Sequence, residues 1–182
     1  ILKNIKYLKK EYKKLFFLGV TGCGVCGAFP FMAGTTTTVA NMGIIYTSSP
    51  IFIILISSYF YKERLSTFQF LGLLLCFTGV VSIITKGDVG LLVGLKFTSG
   101  DLWMLGAAVG WALYAVFLLN WKSKFSLFPR FTIIAFFGAI SLLPFSLIEN
   151  YFIQSVVFNN DFYFWTIFAA ISPGIIAFSL YA

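Results

Sequence analysis

The sequence predicts an all-α protein that crosses a membrane several times. Three observations carry this. Of 182 residues, 59% are hydrophobic and only 10% charged, with a mean hydropathy of +0.93, whereas a soluble domain needs about a quarter of its residues charged to cover its surface. Apolar stretches of roughly 20 residues, the length that crosses a ~30 Å hydrocarbon core as a helix, recur along the chain. These stretches do not alternate as barrel strands would, and in hydrocarbon each must satisfy its own backbone polar groups, which leaves the helix.

The first fourteen residues are basic, holding Lys3, Lys6, Lys9, Lys10, Lys13 and Lys14. A first span is expected over 15–33. Within it, Gly19, Cys23 and Gly27 recur every fourth residue and form a small-residue face suited to close helix packing. Gly22-Cys23-Gly24-Val25-Cys26-Gly27 also matches G-x-G-x-x-G. A dinucleotide fingerprint must, however, follow a strand and open a βαβ unit, so packing is the reading here. Cys23-x-x-Cys26 has no second Cys pair and the chain has no His, so neither a metal nor a cofactor is expected.

A short turn, Gly34 to Thr38, leads to a second span over 39–61, carrying Asn41, Thr47, Ser48, Ser49 and Pro50. Lys62 to Ser66 connects it to a third span over 67–85. The loops at 86–101 and 149–161 are too short for a soluble domain. A fourth span is expected over 102–121, where Gly106-x-x-x-Gly110 with Ala108 and Ala112 predicts another close-packed face. That face favours internal packing, with a homodimer as its alternative use. The fifth and sixth spans are expected over 131–148 and 162–182. Pro50, Pro144 and Pro173 each remove a backbone donor and permit a local bend.

Eleven of the thirteen Lys and Arg fall before span one, between spans two and three (Lys62, Arg64), or between spans four and five (Lys122, Lys124, Arg130). Cytoplasmic loops retain Lys and Arg, so the N-terminal basic segment is expected to be cytoplasmic. The net charge of +7 is thus juxtamembrane and does not point to nucleic acid. No secretory leader is recognisable. The chain opens without Met and stops within an apolar run, which suggests a piece of a longer protein. No ionisable residue lies in the central part of any span. An intramembrane enzyme would need an acid/base or metal constellation, so no enzyme is expected, and any coupling group is expected outside these helices.

Polar but neutral groups remain at depth. Asn41 and Ser48, seven residues apart, share a helix face, and an amide facing lipid would be costly. Trp111 and Tyr114 supply rings on span four. These four are the candidate substrate-cavity residues, the amide and hydroxyls as orienting hydrogen-bond partners and the rings as walls. The plain alternative is that hydroxyls bond back to their own helix and rings pack against neighbours. Glu63 and Arg64 read as interfacial anchors.

Ala33-Gly34-Thr35-Thr36-Thr37-Thr38-Val39-Ala40-Asn41, then Pro50, then Lys62-Glu63-Arg64-Leu65-Ser66, then Gly72 and Gly79, resemble the latter part of a repeat of the EamA family in the drug/metabolite transporter superfamily. Gly100-Asp101-Leu102 leading to Trp111-Ala112-Leu113-Tyr114 resembles the opening of a second repeat, and Pro173 to Phe178 resembles its third helix. One departure is Lys62, where the family has a Gly. The resemblance implies a ten-helix bundle of two inverted five-helix repeats, residues 1–85 ending the first and 86–182 beginning the second, with the six spans as helices three to eight. Ala28-Phe29 and Ala177-Phe178, five spans apart, are similar in the way such a repeat requires. It implies a transporter or exporter of a small metabolite or drug, embedded in the bilayer of the plasma (bacterial inner) membrane and working by alternating access. A non-transporting scaffold and an integral lipid-modifying enzyme are the rival readings.

Overall fold

The computed structural model describes residues 2–63, 66–85, 90, 98–152 and 157–171, and the described residues form helices and turns with no strand. Residues Ile1–Leu142 make one compact unit and Leu143–Ala182 a second. Every contact below lies within the first unit unless stated.

Span one is a continuous helical rod: α1 (Leu2–Leu18), a π-helical segment (Gly19–Val25), then α2 (Cys26–Gly34). The basic segment is therefore helical from Leu2 and continuous with the span. The π segment coincides with three glycines, weak helix formers, and Thr21 Oγ1 donates to Phe17 O at 2.8 Å, competing for the backbone ladder at the point where it widens.

Span two is α3 (Val39–Tyr46) and α4 (Ser49–Tyr61). Thr38 caps α3, its side chain accepting from Asn41 N–H at 3.2 Å. The break at Thr47–Ser48 has a local cause. Pro50 has no N–H to give the carbonyl four residues back, and the Thr47 and Ser48 hydroxyls donate to Ile44 O (2.6 Å) and Ile45 O (2.5 Å). The α4 helix closes on Lys62, whose φ of 56° is left-handed and whose N–H donates to Ser58 O at 3.0 Å. A non-glycine residue there costs about 1 kcal/mol. This is a physical reason for a Gly at the position, and Lys62→Gly is expected to stabilise the full-length protein by about 1 kcal/mol, read as a higher unfolding midpoint in detergent. An unchanged or lower midpoint would count against the strain.

Next come α5 (Thr67–Thr85), α6 (Ser99–Asn120), α7 (Leu127–Phe152) and, in the second unit, α8 (Asn160–Ala169). Asn159 caps α8, accepting from Phe162 N–H at 2.7 Å. Tyr7–Gly34, Val39–Tyr61, Ser99–Asn120 and Leu127–Tyr151 are long and apolar enough to cross a membrane. These are the expected spans one, two, four and five. Span three is the shorter α5, and residues 172–182, with Pro173 and Ala177-Phe178, lie outside the described residues, as do Arg64 and Leu65.

The small-residue faces do the packing. A Cβ on Gly19 would fall 2.6 Å from Ile134 O and 2.8 Å from Gly138 N, and one on Gly138 would fall 2.4 Å from Cys23 Cβ. Rod and α7 thus touch backbone to backbone. On α6, Gly106 and Gly110 accept Phe29 and Val25 of the rod, and Tyr114 covers Gly22. Gly27, by contrast, has nothing within 4 Å. The core around this junction is Leu15, Leu18, Tyr114, Phe117 and Ile134, with Ala33, Met104 and Ala107 packed further along α6. Large apolar side chains face outward, Val39 at 85% and Phe68 at 87% exposure, as a lipid solvent permits.

Candidate functional site

Spans two and four run side by side, and their two ends differ. At the end bearing the Thr35–Thr38 turn they are sealed. Gly100 lies so close to this turn that a Cβ would meet Ala33 O at 2.5 Å and Thr36 Oγ1 at 2.7 Å. Thr36 and Ser99 hydroxyls lie 3.3 Å apart. Beneath them Asp101, only 2% exposed, accepts hydrogen bonds from both spans. The Thr37 hydroxyl and Asn41 Nδ2 (3.4 Å) donate to its Oδ1, and Thr98 N–H donates to Oδ2 at 2.6 Å.

The Thr98 bond is a capping-box contact, in which an acidic side chain at the third helical position reaches back to the cap N–H. It also places the carboxylate in the first turn, where the helix dipole favours it. Thr98-x-x-Asp101 is legible in sequence as a helix start, and it puts the start of α6 at Ser99, earlier than residue 102. What the sequence missed is that the same carboxylate holds span two.

Towards the opposite end, where Lys62 lies, is a cavity of about 560 Å³ lined by Ile53, Ile54 and Ser57 of α4, Glu63, Gln69 of α5, and Ala115, Val116, Leu119 and Asn120 of α6, while Phe60 and Tyr61 of α4 still pack on Phe117 of α6 with ring centroids 5.3 and 6.3 Å apart. Its walls are apolar, with a hydroxyl, a carboxylate and two amides at the rim. The Ser57 hydroxyl donates to Glu63, so Glu63 ties its own hairpin together, consistent with an anchor; no bond from it to another loop is seen among the described residues. The same end is stapled by Glu11, which accepts from Ser123 Oγ–H at 2.6 Å and Lys124 N–H at 3.3 Å.

The four residues singled out from sequence separate into three places. Asn41 is buried at the sealed end, bonded to Asp101. Ser48 lies at the break in span two, its hydroxyl turned back to Ile45 O. Trp111 and Tyr114 pair on α6 with ring centroids 5.5 Å apart, Tyr114 buried over Gly22 and Trp111 38% exposed. They lie about 15 and about 20 Å further along the helix than Asp101, at 1.5 Å per residue. None of the four lines the cavity. Its lining could not be read from sequence, because no periodicity tells which faces of α4, α5 and α6 enclose it.

Residues 1–85 match the family model described as the EamA-like transporter family. Among curated proteins, the chain is 27% identical over 143 residues to an uncharacterized transporter, YyaM, of Bacillus subtilis (strain 168), covering 79% of this chain and 47% of that protein. It is 31% identical over 152 residues to an uncharacterized transporter of Archaeoglobus fulgidus, covering 83% and 51%, and 28% identical over 137 residues to the uncharacterized transporter YdfC of B. subtilis, covering 75% and 43%. The chain spans about half the length of these relatives. No solved structure matches it.

Proposed function

Because this chain belongs to the EamA-like transporter family, we propose that it forms part of a secondary transporter that moves a small metabolite or drug by alternating access between two inverted five-helix repeats. In this reading the six apolar stretches are helices three to eight of ten, residues 1–85 ending one repeat and 86–182 beginning the other. The observation that supports it is a difference between the ends of spans two and four: Asp101, Thr37 and Asn41 bond them together at one end, and a cavity lies between α4, α5 and α6 near the other. One helix comes from each proposed repeat, and a path closed at one end and open at the other is what alternating access requires.

The basic residues give the direction. Lys62, Lys122 and Lys124 lie at the cavity end, so the cavity faces the cytoplasm and the Thr35–Thr38 turn faces out. The substrate path runs from the cavity along span four past Trp111 towards the seal that holds Asn41, with Tyr114 backing Trp111 from the core side; Ser48 lies at the hinge of span two, beside the carbonyl freed by Pro50. The membrane is the plasma membrane, in a bacterium the inner one.

The test is topological. In the full-length protein in intact cells, a Cys at Thr36 or Asn159 is expected to react with an impermeant thiol reagent, and a Cys at Ser66 or Ser123 only after permeabilisation. Labelling at Ser66 in intact cells would reverse the assignment and with it the inward-facing reading.

A further inference from the structure

We propose that the corner formed by α1 and the turn that follows α6 is a binding site for anionic lipid: headgroup phosphates of the adjacent leaflet seat among its lysines and hold the two elements together. The site depends on the chain lying in a bilayer, not on what it transports or in which direction.

The lysines converge from two distant parts of the chain. On α1, Lys9, Lys10, Lys13 and Lys14 are exposed. At 3.6 residues per turn they occupy a sector of about 140°, turned away from the buried Leu15 and Leu18. The turn after α6 adds Lys122 and Lys124, both exposed. Two cation–π contacts cross the corner, Lys14 Nζ lying 5.5 Å from the Trp121 ring centroid and Lys124 Nζ 4.9 Å from that of Tyr7. Glu11 fastens the same two elements, its Oε2 accepting from Ser123 Oγ–H and its Oε1 from Lys124 N–H.

Like charges brought together repel, and the segments that build the corner offer little to offset them. Glu11 is the one acidic residue in 1–62, and residues 102–148 hold none. Both of its carboxylate oxygens are already engaged. Six exposed lysines against one glutamate leave a surplus of five positive charges, which an anion from outside the chain can neutralise.

Depth selects the anion. The apolar run opens at Leu15, directly after Lys14, and Tyr7, Tyr12 and Trp121 are of the types that collect at headgroup level. From Lys9 to Lys14 the helix rises about 7.5 Å, and one headgroup layer is about 5–8 Å thick. Because α1 continues the rod of span one, its four exposed lysines stand at phosphate level. Lys3 and Lys6 fall one to two turns further out. Beside the lysine sector, Tyr12 and Phe16 are 47% and 43% exposed and lie one turn apart, an aromatic strip along which the glycerol and upper chains of the same lipid can pack. Phosphate is the anion abundant at that depth, and a soluble polyanion would have to enter the headgroup layer to reach Lys13 and Lys14. Each lysine near the surface favours anionic over neutral lipid by about fivefold.

The test titrates the full-length protein, held in an uncharged detergent, with phosphatidylglycerol or phosphatidylcholine and counts bound lipids by native mass spectrometry. Phosphatidylglycerol is expected to bind at least about tenfold more tightly. Lys10→Gln/Lys14→Gln and Lys122→Gln/Lys124→Gln are each expected to weaken it at least about fivefold and to leave phosphatidylcholine unchanged. Lys3→Gln/Lys6→Gln removes the same charge beyond the headgroup layer and is expected to weaken it less than about twofold. Equal affinity for the two lipids in the parent protein overturns the proposal. Equal losses for the outer pair and the corner pairs overturn it too, because they mean diffuse attraction without a site. Displacement of the lipid by inorganic phosphate or a short RNA at matching concentration would make a soluble anion the occupant and exclude lipid. Where one of the corner pairs does not fold, the other decides.

Discussion

Replacing Gly138 by leucine should prevent α7 from docking on span one, and the alanine variant should already lower stability by about 1–3 kcal/mol. The reason is that the neighbours are backbone. A Cβ on Gly138 falls 2.4 Å from Cys23 Cβ and 2.9 Å from Gly19 O, and the reciprocal Cβ on Gly19 meets Ile134 O and Gly138 N. No side-chain rotamer relieves such overlaps, so the helices must move apart. That strips contacts from Leu18 and Ile134, which are shielded almost completely, and helix packing in lipid depends on such contacts because no hydrophobic force holds the helices together. The check is the detergent unfolding midpoint of the full-length protein, with Gly27→Ala beside it. Gly27 belongs to the same four-residue repeat but has open space around it, so its variant should be silent. Equal losses at Gly27 and Gly138 would mean that helix propensity, not close approach, is responsible.

Arg130→Ala should cost about 2 kcal/mol and loosen the cavity end of α6. The Arg130 guanidinium donates from Nη2 to Leu118 O at 3.1 Å and Trp121 O at 2.8 Å, carbonyls in the last turn that no helical N–H can reach. Two acceptors near the membrane would lose their partner, and the cluster of Phe17, Phe117 and Trp121, with ring centroids 4.5–5.7 Å apart, rests on that turn. The charge also suits a helix C-terminus. Lysine keeps the charge but not the fork of donors. Arg130→Lys should therefore recover only part of the loss in the same unfolding measurement, and full recovery would show that charge alone matters.

Most of the secondary structure was legible in the sequence. Apolar length set the spans, while the cap signals Thr38-x-x-Asn41 and Thr98-x-x-Asp101 are present in the sequence but did not enter the expected bounds, which began span four at 102 instead of Ser99. The small-residue stripes at Gly19/Cys23 and Gly106/Gly110 announced close packing correctly, but Gly27, one step further along the first stripe and past the π segment, has open space beside it. The expectation that Asn41 and Ser48 act from one face was weakened in a similar way. The helix breaks at Thr47–Ser48, Ser48 bonds to its own backbone, and Asn41 is engaged by a carboxylate sixty residues away. An absence of charge from the middle of every span was also correct as composition. It overlooked Asp101, because a residue at the first turn of a span counts as interfacial until a loop is seen folded over it.

By itself, then, the sequence determined that this chain is helical, embedded in lipid and concentrates its positive charge in a few short segments, because hydropathy, element length and charge distribution are properties of segments and need no partner. Only the tertiary structure decided that Asp101, Thr37 and Asn41 join spans two and four at one end and that a cavity lies between α4, α5 and α6 near the other. Those are relations between residues far apart in the chain. They depend on how closely Gly100 lets two backbones approach and on which way a bend near Pro50 directs the rest of its helix, and no local pattern encodes either.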